Sequence, residues 1–484
     1  MSNGKTRREF LISTGAATAL AFLPAKAAFA QNFCRVRRDV TSDFAWHDLE
    51  LLCQGVEKMK RLSYANSSDP LGWISQAYIH GNCDGFIHCQ HSNWYFAPWH
   101  RSYLYYFELL IQHFTNNPSF ALPYWDWSQT HSVPYAFYGG ANNPLADNFS
   151  IDCASPGRRV GPEEEFTLDH LSDYVGDARV ELIQANPDYV SYGGDAFGGG
   201  ELEKTPHNFV HIWVGGKMAW SFSPLDPIFW MHHCNVDRLY SDWLARGYNP
   251  PNESEWNDKS FNDFYDADGK PVGSEFTCGM TVDSRNMGYV YEDIFSFCVP
   301  NLSPRSLTLG QTLSSKPQVI KSVGLSNSSI TENVLTFGAN VAVPIRARQL
   351  LNTTAAGAPN YVVRLRIQGV KLPKQQDTGV FVFFGPGITT ETPISAPGFV
   401  GNFTFFQGGS GNNSEAKASE DKKNVVLNAT EAVKRLYRNT DLPESNTLPV
   451  SIVTRSLFGN SDAFATVEEI QPDRVQIDIV DLNP

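Results

Sequence analysis

The sequence predicts a mainly α domain with a central four-helix bundle, followed by an all-β sandwich or barrel. Three observations carry that expectation. Apolar residues recur at helical spacing through the first 300 residues, the period falls to 2 beyond about residue 333, and six histidines stand in two sets of three that a bundle core would bring together. At 484 residues the chain exceeds what one hydrophobic core fills, so two domains are expected. With 42% apolar and 18% charged residues it falls in neither the disordered nor the membrane-spanning class. Its 11 Trp, 19 Tyr and 32 Phe suit a large packed core.

Residues 1–30 carry the marks of an export signal. Lys5-Thr6-Arg7-Arg8-Glu9-Phe10-Leu11 sets paired arginines before an apolar stretch from Leu11 to Leu23, and Ala28-Phe29-Ala30 supplies a small-x-small cleavage pattern before Gln31. The arrangement resembles a bacterial twin-arginine signal, which implies a periplasmic or secreted protein. Cleavage would remove Lys5, Arg7, Arg8, Lys26 and Glu9 and move the net charge from −13 to −16. That balance argues against nucleic acid or anionic membrane as partners. No other stretch is long and apolar enough to span a bilayer. The cysteines at 34, 53, 83, 89, 153, 234, 278 and 298 permit disulfides in an exported chain, with the pairing open.

Residues 31–300 form the first domain. Trp46 to Leu62 has helical apolar spacing. His100 to Phe114 reads as a long buried helix that starts after Pro98 and stops before Asn116-Asn117-Pro118. Glu203 to Val214 reads as a short helix with Pro206 in its first turn, after the glycine-rich loop 193–200. Ile228 to Ala245 begins after Asp226-Pro227. Residues 301–333, rich in Ser, Pro and Asn, read as a linker. Residues 334–484 read as the β domain. Its strands are Val334–Ile345, Tyr361–Val370, Val380–Phe384, Phe399–Phe406, Leu448–Thr454 and Arg474–Val480, with a helix near Thr430–Leu436 and a polar mobile loop at Gly408–Lys423.

The two histidine sets are His80, His91, His100 and His207, His211, His233. Neutral imidazole suits copper, zinc, iron and nickel, and three imidazoles per metal leave positions open for chemistry. His207 and His211, four apart on a helix, project from one face. A carboxylate-bridged di-iron bundle would need Glu-x-x-His pairs, which do not occur at these positions. A single catalytic zinc would need only three ligands. The pattern therefore points to a pair of copper ions. His47, His113, His131 and His170 read as ordinary hydrogen-bonded residues. His88 rivals His80, and His232, turned about 100° from His233 on its helix, reads as a supporting or packing residue.

His91…Phe96-x-x-Trp99-His100-Arg101…Glu108 and Asp226-Pro227-Ile228-Phe229-Trp230-x-x-His233-x-x-x-Asp237 closely resemble the two copper signatures of the tyrosinase and catechol oxidase family, the type-3 dicopper proteins, shared with molluscan haemocyanin units. The match covers about residues 34 to 298. It departs at Ala97, where a larger apolar residue or Pro is usual. The resemblance implies two coppers per chain, one on His80, His91 and His100 and one on His207, His211 and His233. It implies oxidation of phenols by O2, both ortho-hydroxylation of monophenols and conversion of o-diphenols to o-quinones. Two alternatives stay open: a catechol oxidase or o-aminophenol oxidase without monophenolase activity, and a haemocyanin-like O2 carrier. O2 and small phenols are the implied partners, with a copper chaperone a further candidate. By the same resemblance Glu203 and Asn208 would hold a water that takes a phenol's proton, and Trp220 would stand as a gate over the metals. Cys89 would form a thioether to His91, with Cys83 the rival and otherwise in a disulfide, Cys34 being its candidate partner. Tyr289-Val290-Tyr291 resembles the marker that closes the catalytic domain, with Arg37 or Arg38 opposite. The C-terminal domain resembles a shielding domain, with Phe403, Phe405 or Phe406 as a plug.

Overall fold

A computed structural model describes residues 34–294, 316–338, 361–406, 422–438, 449–459 and 464–482, apart from 141, 155, 156 and 326. The export signal, Cys298 and most of the 408–423 loop lie outside the described residues. Helix α1 (Trp46–Ala65) turns Leu52, Val56 and Met59 inward and packs on α3 (Phe96–Thr115), with the short α2 (Trp73–Tyr78) between them in sequence. The third helix begins at Phe96 rather than His100. Pro98 therefore sits in its first turn, where a missing backbone N–H costs nothing. Helix α4 (Asn208–Val214) follows a π-turn at Glu203–His207, and α5 (Ile228–Ala245) crosses α3. Phe107 and Trp230 stack there with centroids 3.5 Å apart.

The charged residues of the two signatures brace this crossing and stand apart from the histidine groups. Asp237 on α5 takes Arg101 on α3, the hydroxyls of Tyr289 (2.7 Å) and Tyr291 (2.6 Å), and Arg37 (3.3 Å). Arg37 also pairs with Glu108 at 3.0 Å and lies 3.6 Å over the Tyr289 ring. Strand β1 (Arg35–Arg37) runs parallel to β2 (Tyr289–Tyr291), so this buried network ties both ends of the helical region to its centre. Arg37, not Arg38, is the partner of the Tyr-x-Tyr pair. Asp237→Ala leaves the buried Arg101 guanidinium without its carboxylate and Arg37 with Glu108 alone, and should cost about 3–5 kcal/mol in chaotrope unfolding. A loss under 1 kcal/mol would remove the network's structural role.

Among the described residues beyond 316 the chain forms two antiparallel sheets. The strands are β3 (Gln318–Leu325), β4 (Ser328–Thr331), β5 (Val334–Phe337), β6 (Tyr361–Lys371), β7 (Gly379–Phe384), β8 (Phe399–Thr404), β9 (Lys422–Asn428), β10 (Val450–Arg455) and β11 (Arg474–Asp481). One sheet has the order β9-β6-β11-β3 and the other β8-β7-β10-β5-β4. The sequence reading of 301–333 as linker is corrected here, since 318–331 supplies two strands. Their Ser and Lys residues mask the alternation because the edge faces solvent. The polar-loop reading is likewise corrected at Lys422–Lys423, where β9 starts. Of the strand read to Ile345, Val334–Phe337 is strand, and residues 339–345 lie outside the described residues.

Period 2 explains how the sheets meet the helices. On β7, Val380, Val382 and Phe384 enter the core between the sheets, while Phe381 and Phe383 enter the helical core. The strand is buried on both faces and reads as a continuous apolar run. Polar contacts complete this junction: Arg364 with Asp188 at 2.6 and 2.8 Å, the Thr205 hydroxyl to the Asn402 carbonyl at 2.7 Å, and the His170 ring to the Leu457 carbonyl at 2.7 Å.

Candidate metal centre

The structure brings the histidines into two facing groups. His80, Cys89, His91 and His100 each offer a donor atom, and these lie within 4.8 Å of one another; the same holds for His207, His211, His232 and His233. The His100 and His233 rings stack across the divide at 4.4 Å, and His91 and His207 are 5.7 Å apart. The bundle differs in detail from expectation. His100, His211 and His233 sit on helices and His207 ends the π-turn, but His80 follows α2 and His91 precedes α3 in non-helical backbone. Pro206 inside the π-turn withholds a backbone donor, and such turns recur at functional sites.

Hydrogen bonds orient most of these rings. His80 Nδ1 donates to the Ser221 carbonyl at 2.5 Å, His100 Nδ1 to Phe96 at 2.7 Å, and His211 Nδ1 to Met218 at 2.6 Å. His207 Nδ1 faces the Asn208 side-chain oxygen at 3.0 Å. An oxygen acceptor fixes the proton on Nδ1, which leaves the Nε2 lone pair for a metal. Nε2 of His80 and of His207 are buried with no hydrogen-bond partner among the described residues, and His211 Nε2 meets His233 Nε2 at 3.1 Å. Orphaned buried nitrogens of this kind are what a cation satisfies. Burial keeps the rings neutral, at about 3 for His80 and His211 and well below the usual range for His91, His100, His207 and His233. Among the described residues no carboxylate belongs to either group, so the donor set fits copper better than a carboxylate-bridged metal pair.

The remaining candidates fall as follows. His88 is at the surface against Asp263 (3.3 Å), so the first group holds His80 and not its rival. Cys89 Sγ lies 3.2 and 3.7 Å from the two nitrogens of the His91 ring and 3.3 Å from His100 Nε2. Cys83 is bonded to Cys153, which corrects the Cys34 pairing and removes Cys83 as the thioether rival. Glu203 and Asn208 both line the cavity beside His91. The Glu203 carboxylate accepts the Ser92 N–H (2.9 and 3.0 Å) and pairs with Lys204 at 2.9 Å. Ser92 adopts φ +58°, a left-handed turn that aims its N–H at Glu203. A Cβ on Gly199 would fall 2.5 Å from the same carboxylate, so a larger residue there would displace the Glu203 side chain. The Asn208 amide donates to the Thr404 carbonyl of β8 at 2.9 Å.

Trp220 is half-buried and does not line this cavity. The aromatic ring over the histidines is instead Phe406, whose centroid is 4.2 Å from that of His211 in a stacked pose and 5.4 Å from that of His91. Of the three plug candidates, Phe403 and Phe405 belong to the core between the sheets. Motif reading also missed the aromatic walls. Phe229 packs on His233 at 4.1 Å, and Phe96 on His207 and His100, each at 4.7 Å. Both residues stand inside the two signatures, so the signal was present without the geometry to interpret it.

The family profile described as the common central domain of tyrosinase matches residues 70–165 and 158–246. A chloroplastic polyphenol oxidase of Malus domestica is 30% identical over 317 residues, which are 58% of this chain and 51% of that protein. A tyrosinase of Hahella sp. (strain CCB-MM4) is 29% identical over 57% of this chain and 66% of its own length. The chain thus matches between half and two thirds of the length of these relatives. Among solved structures, latent aurone synthase (polyphenol oxidase) aligns over 94% of this chain and 90% of its own, at 19% identity and TM-score 0.65. Latent apple tyrosinase aligns over 93% of this chain and 97% of its own, at 21% identity and TM-score 0.59. At these identities the structural likeness speaks for the fold.

Proposed function

We propose that the chain is a member of the tyrosinase and polyphenol oxidase family of type-3 copper proteins, and that it is an exported, copper-dependent phenol oxidase using O2. The observation that carries the proposal is the pair of facing, neutral imidazole groups with inward Nε2 lone pairs. His80, His91 and His100 would hold one copper and His207, His211 and His233 the other. Such a pair supplies activation of O2 and uptake of electrons from the phenol. The protein's own part is positional. Phe229 and Phe96 keep water from the rings, and the buried Nδ1 bonds fix ligand direction before any phenol arrives. Purified protein loaded with copper should turn catechol into o-quinone. Uptake and release of O2 without quinone formation would favour the carrier reading instead.

The finer reading is monophenol hydroxylation followed by diphenol oxidation. Glu203 and Asn208 flank the cavity beside His91 and His207, where a shared water would take a phenol's proton. The opposing observation is that Ser92 and Lys204 already satisfy the Glu203 carboxylate, which favours a catechol or o-aminophenol oxidase. Glu203→Gln separates the two. Turnover of tyramine should fall about a hundredfold, with catechol turnover changed less than about threefold. Equal losses would leave Glu203 without its role as a base. Cys89 is the thioether partner of His91 in this reading, and a mass of the mature protein that stays lower by two hydrogens after complete disulfide reduction is its signature.

A further inference from the structure

His232 is a seventh imidazole in the metal centre. It is fully buried, and its ring centroid lies 5.3 Å from His207, 4.9 Å from His211 and 5.1 Å from His233. One of its nitrogens falls within ligand range of the second group. What distinguishes it is the partner on its Nδ1, which accepts the indole N–H of Trp127 at 3.2 Å. An indole nitrogen donates and never accepts. The Nδ1 of His232 must therefore present a lone pair to Trp127, and the ring's single proton resides on Nε2. That Nε2 is buried and has no hydrogen-bond partner among the described residues.

His80, His100 and His211 show the reverse arrangement, with Nδ1 donating to a backbone carbonyl and Nε2 left as a lone pair. We propose that Trp127 sets the ligand count of the second metal site. By donating to His232 Nδ1 it holds the proton on Nε2, so His232 meets the metal centre as an N–H donor and the second copper keeps three imidazoles and an open position. This rests on the copper reading above. The choice matters because a fourth nitrogen would close the position that an exogenous ligand needs. Trp127 is a positioning residue here, acting through His232.

The test uses full-length protein loaded with Cu(II), with copper counted by elemental analysis, affinity measured by chelator competition, and the ligand-field band recorded. His232→Gln should retain two coppers per chain, with the weaker affinity within about threefold of wild type, below the 10- to 100-fold cost of a supporting partner, because among the described residues His232 Nε2 hydrogen-bonds to no ligand ring. Trp127→Phe removes the N–H but keeps an aromatic ring. It frees Nε2 to present a lone pair, so the second copper should bind about tenfold tighter or more and the band should move to higher energy. The double variant Trp127→Phe with His232→Gln should return both readouts to the wild-type range, which a merely structural role of Trp127 would not produce. Loss of one copper in His232→Gln would overturn the proposal, as would a folded Trp127→Phe with unchanged affinity and band. If Trp127→Phe does not fold, the copper count of His232→Gln decides. A wild-type protein that binds fewer than two coppers would instead refute the underlying copper reading.

Discussion

His211→Ala should bind one copper per chain instead of two and lose oxidation of catechol by well over about a hundredfold, because losing a ligand exceeds the 10- to 100-fold typical of its supporting partners. The expectation follows from where His211 stands. Its Nδ1 donates to the Met218 carbonyl, its Nε2 meets that of His233 at 3.1 Å, and Phe406 stacks on its face. No neighbouring side chain of the second group can substitute, since Trp127 occupies the acceptor nitrogen of His232. The variant should fold. The alanine leaves a polar cavity on a short helix, while the buried brace of Arg37, Arg101, Glu108 and Asp237 is untouched. Copper analysis and oxygen consumption on the same sample check both halves. Two retained coppers with near wild-type activity would exclude the second site as described.

The sequence exposed the chemistry of the centre more fully than its architecture. The histidines were legible because ligand chemistry restricts residue type and the spacing of each signature is local. His207 and His211 are one helical turn apart, and His233 follows Asp226-Pro227 at a fixed distance. His80 was harder to separate from His88, since the difference lies in burial, one ring facing the centre and the other facing Asp263 at the surface. Tertiary pairs were not legible at all. Nothing local links Trp127 to His232, Cys83 to Cys153, or Arg364 to Asp188, because each depends on how distant segments pack. The strands at 318–331 were missed for a different reason. They lie at sheet edges with polar side chains outward, so they lack the alternation by which strands are recognised.

Phe406→Ala should raise the rate on a small diphenol about 10- to 100-fold in the uncut, copper-loaded chain. The ring leaves the end of β8 and lies against His211, His91 and Phe86, on the cavity side of the histidines. On the proposed phenol oxidase reading, a phenol would need the same volume and the same ring faces and so would compete with Phe406 for one site. Burying a Phe side chain is worth about 1.5–3 kcal/mol, and that is the bias toward the closed arrangement that the substitution removes. Cutting the chain between 294 and 316 is a weaker perturbation. Phe381, Phe383, Phe399 and Val453 still bury themselves in the helical core, and Arg364 still pairs with Asp188. The sheet should therefore stay docked after a single cut, and activity should rise only when it departs, for instance on mild detergent or complete removal of the C-terminal region. Asn208 reinforces the distinction, since its amide is bound to the Thr404 carbonyl while β8 is in place and is freed only on departure. Phe406→Ala should accordingly unlock diphenol oxidation in the docked state but leave monophenol turnover low. Full removal of the sheets should release both. A folded Phe406→Ala variant with unchanged catechol oxidation would show that the ring does not stand between substrate and metal.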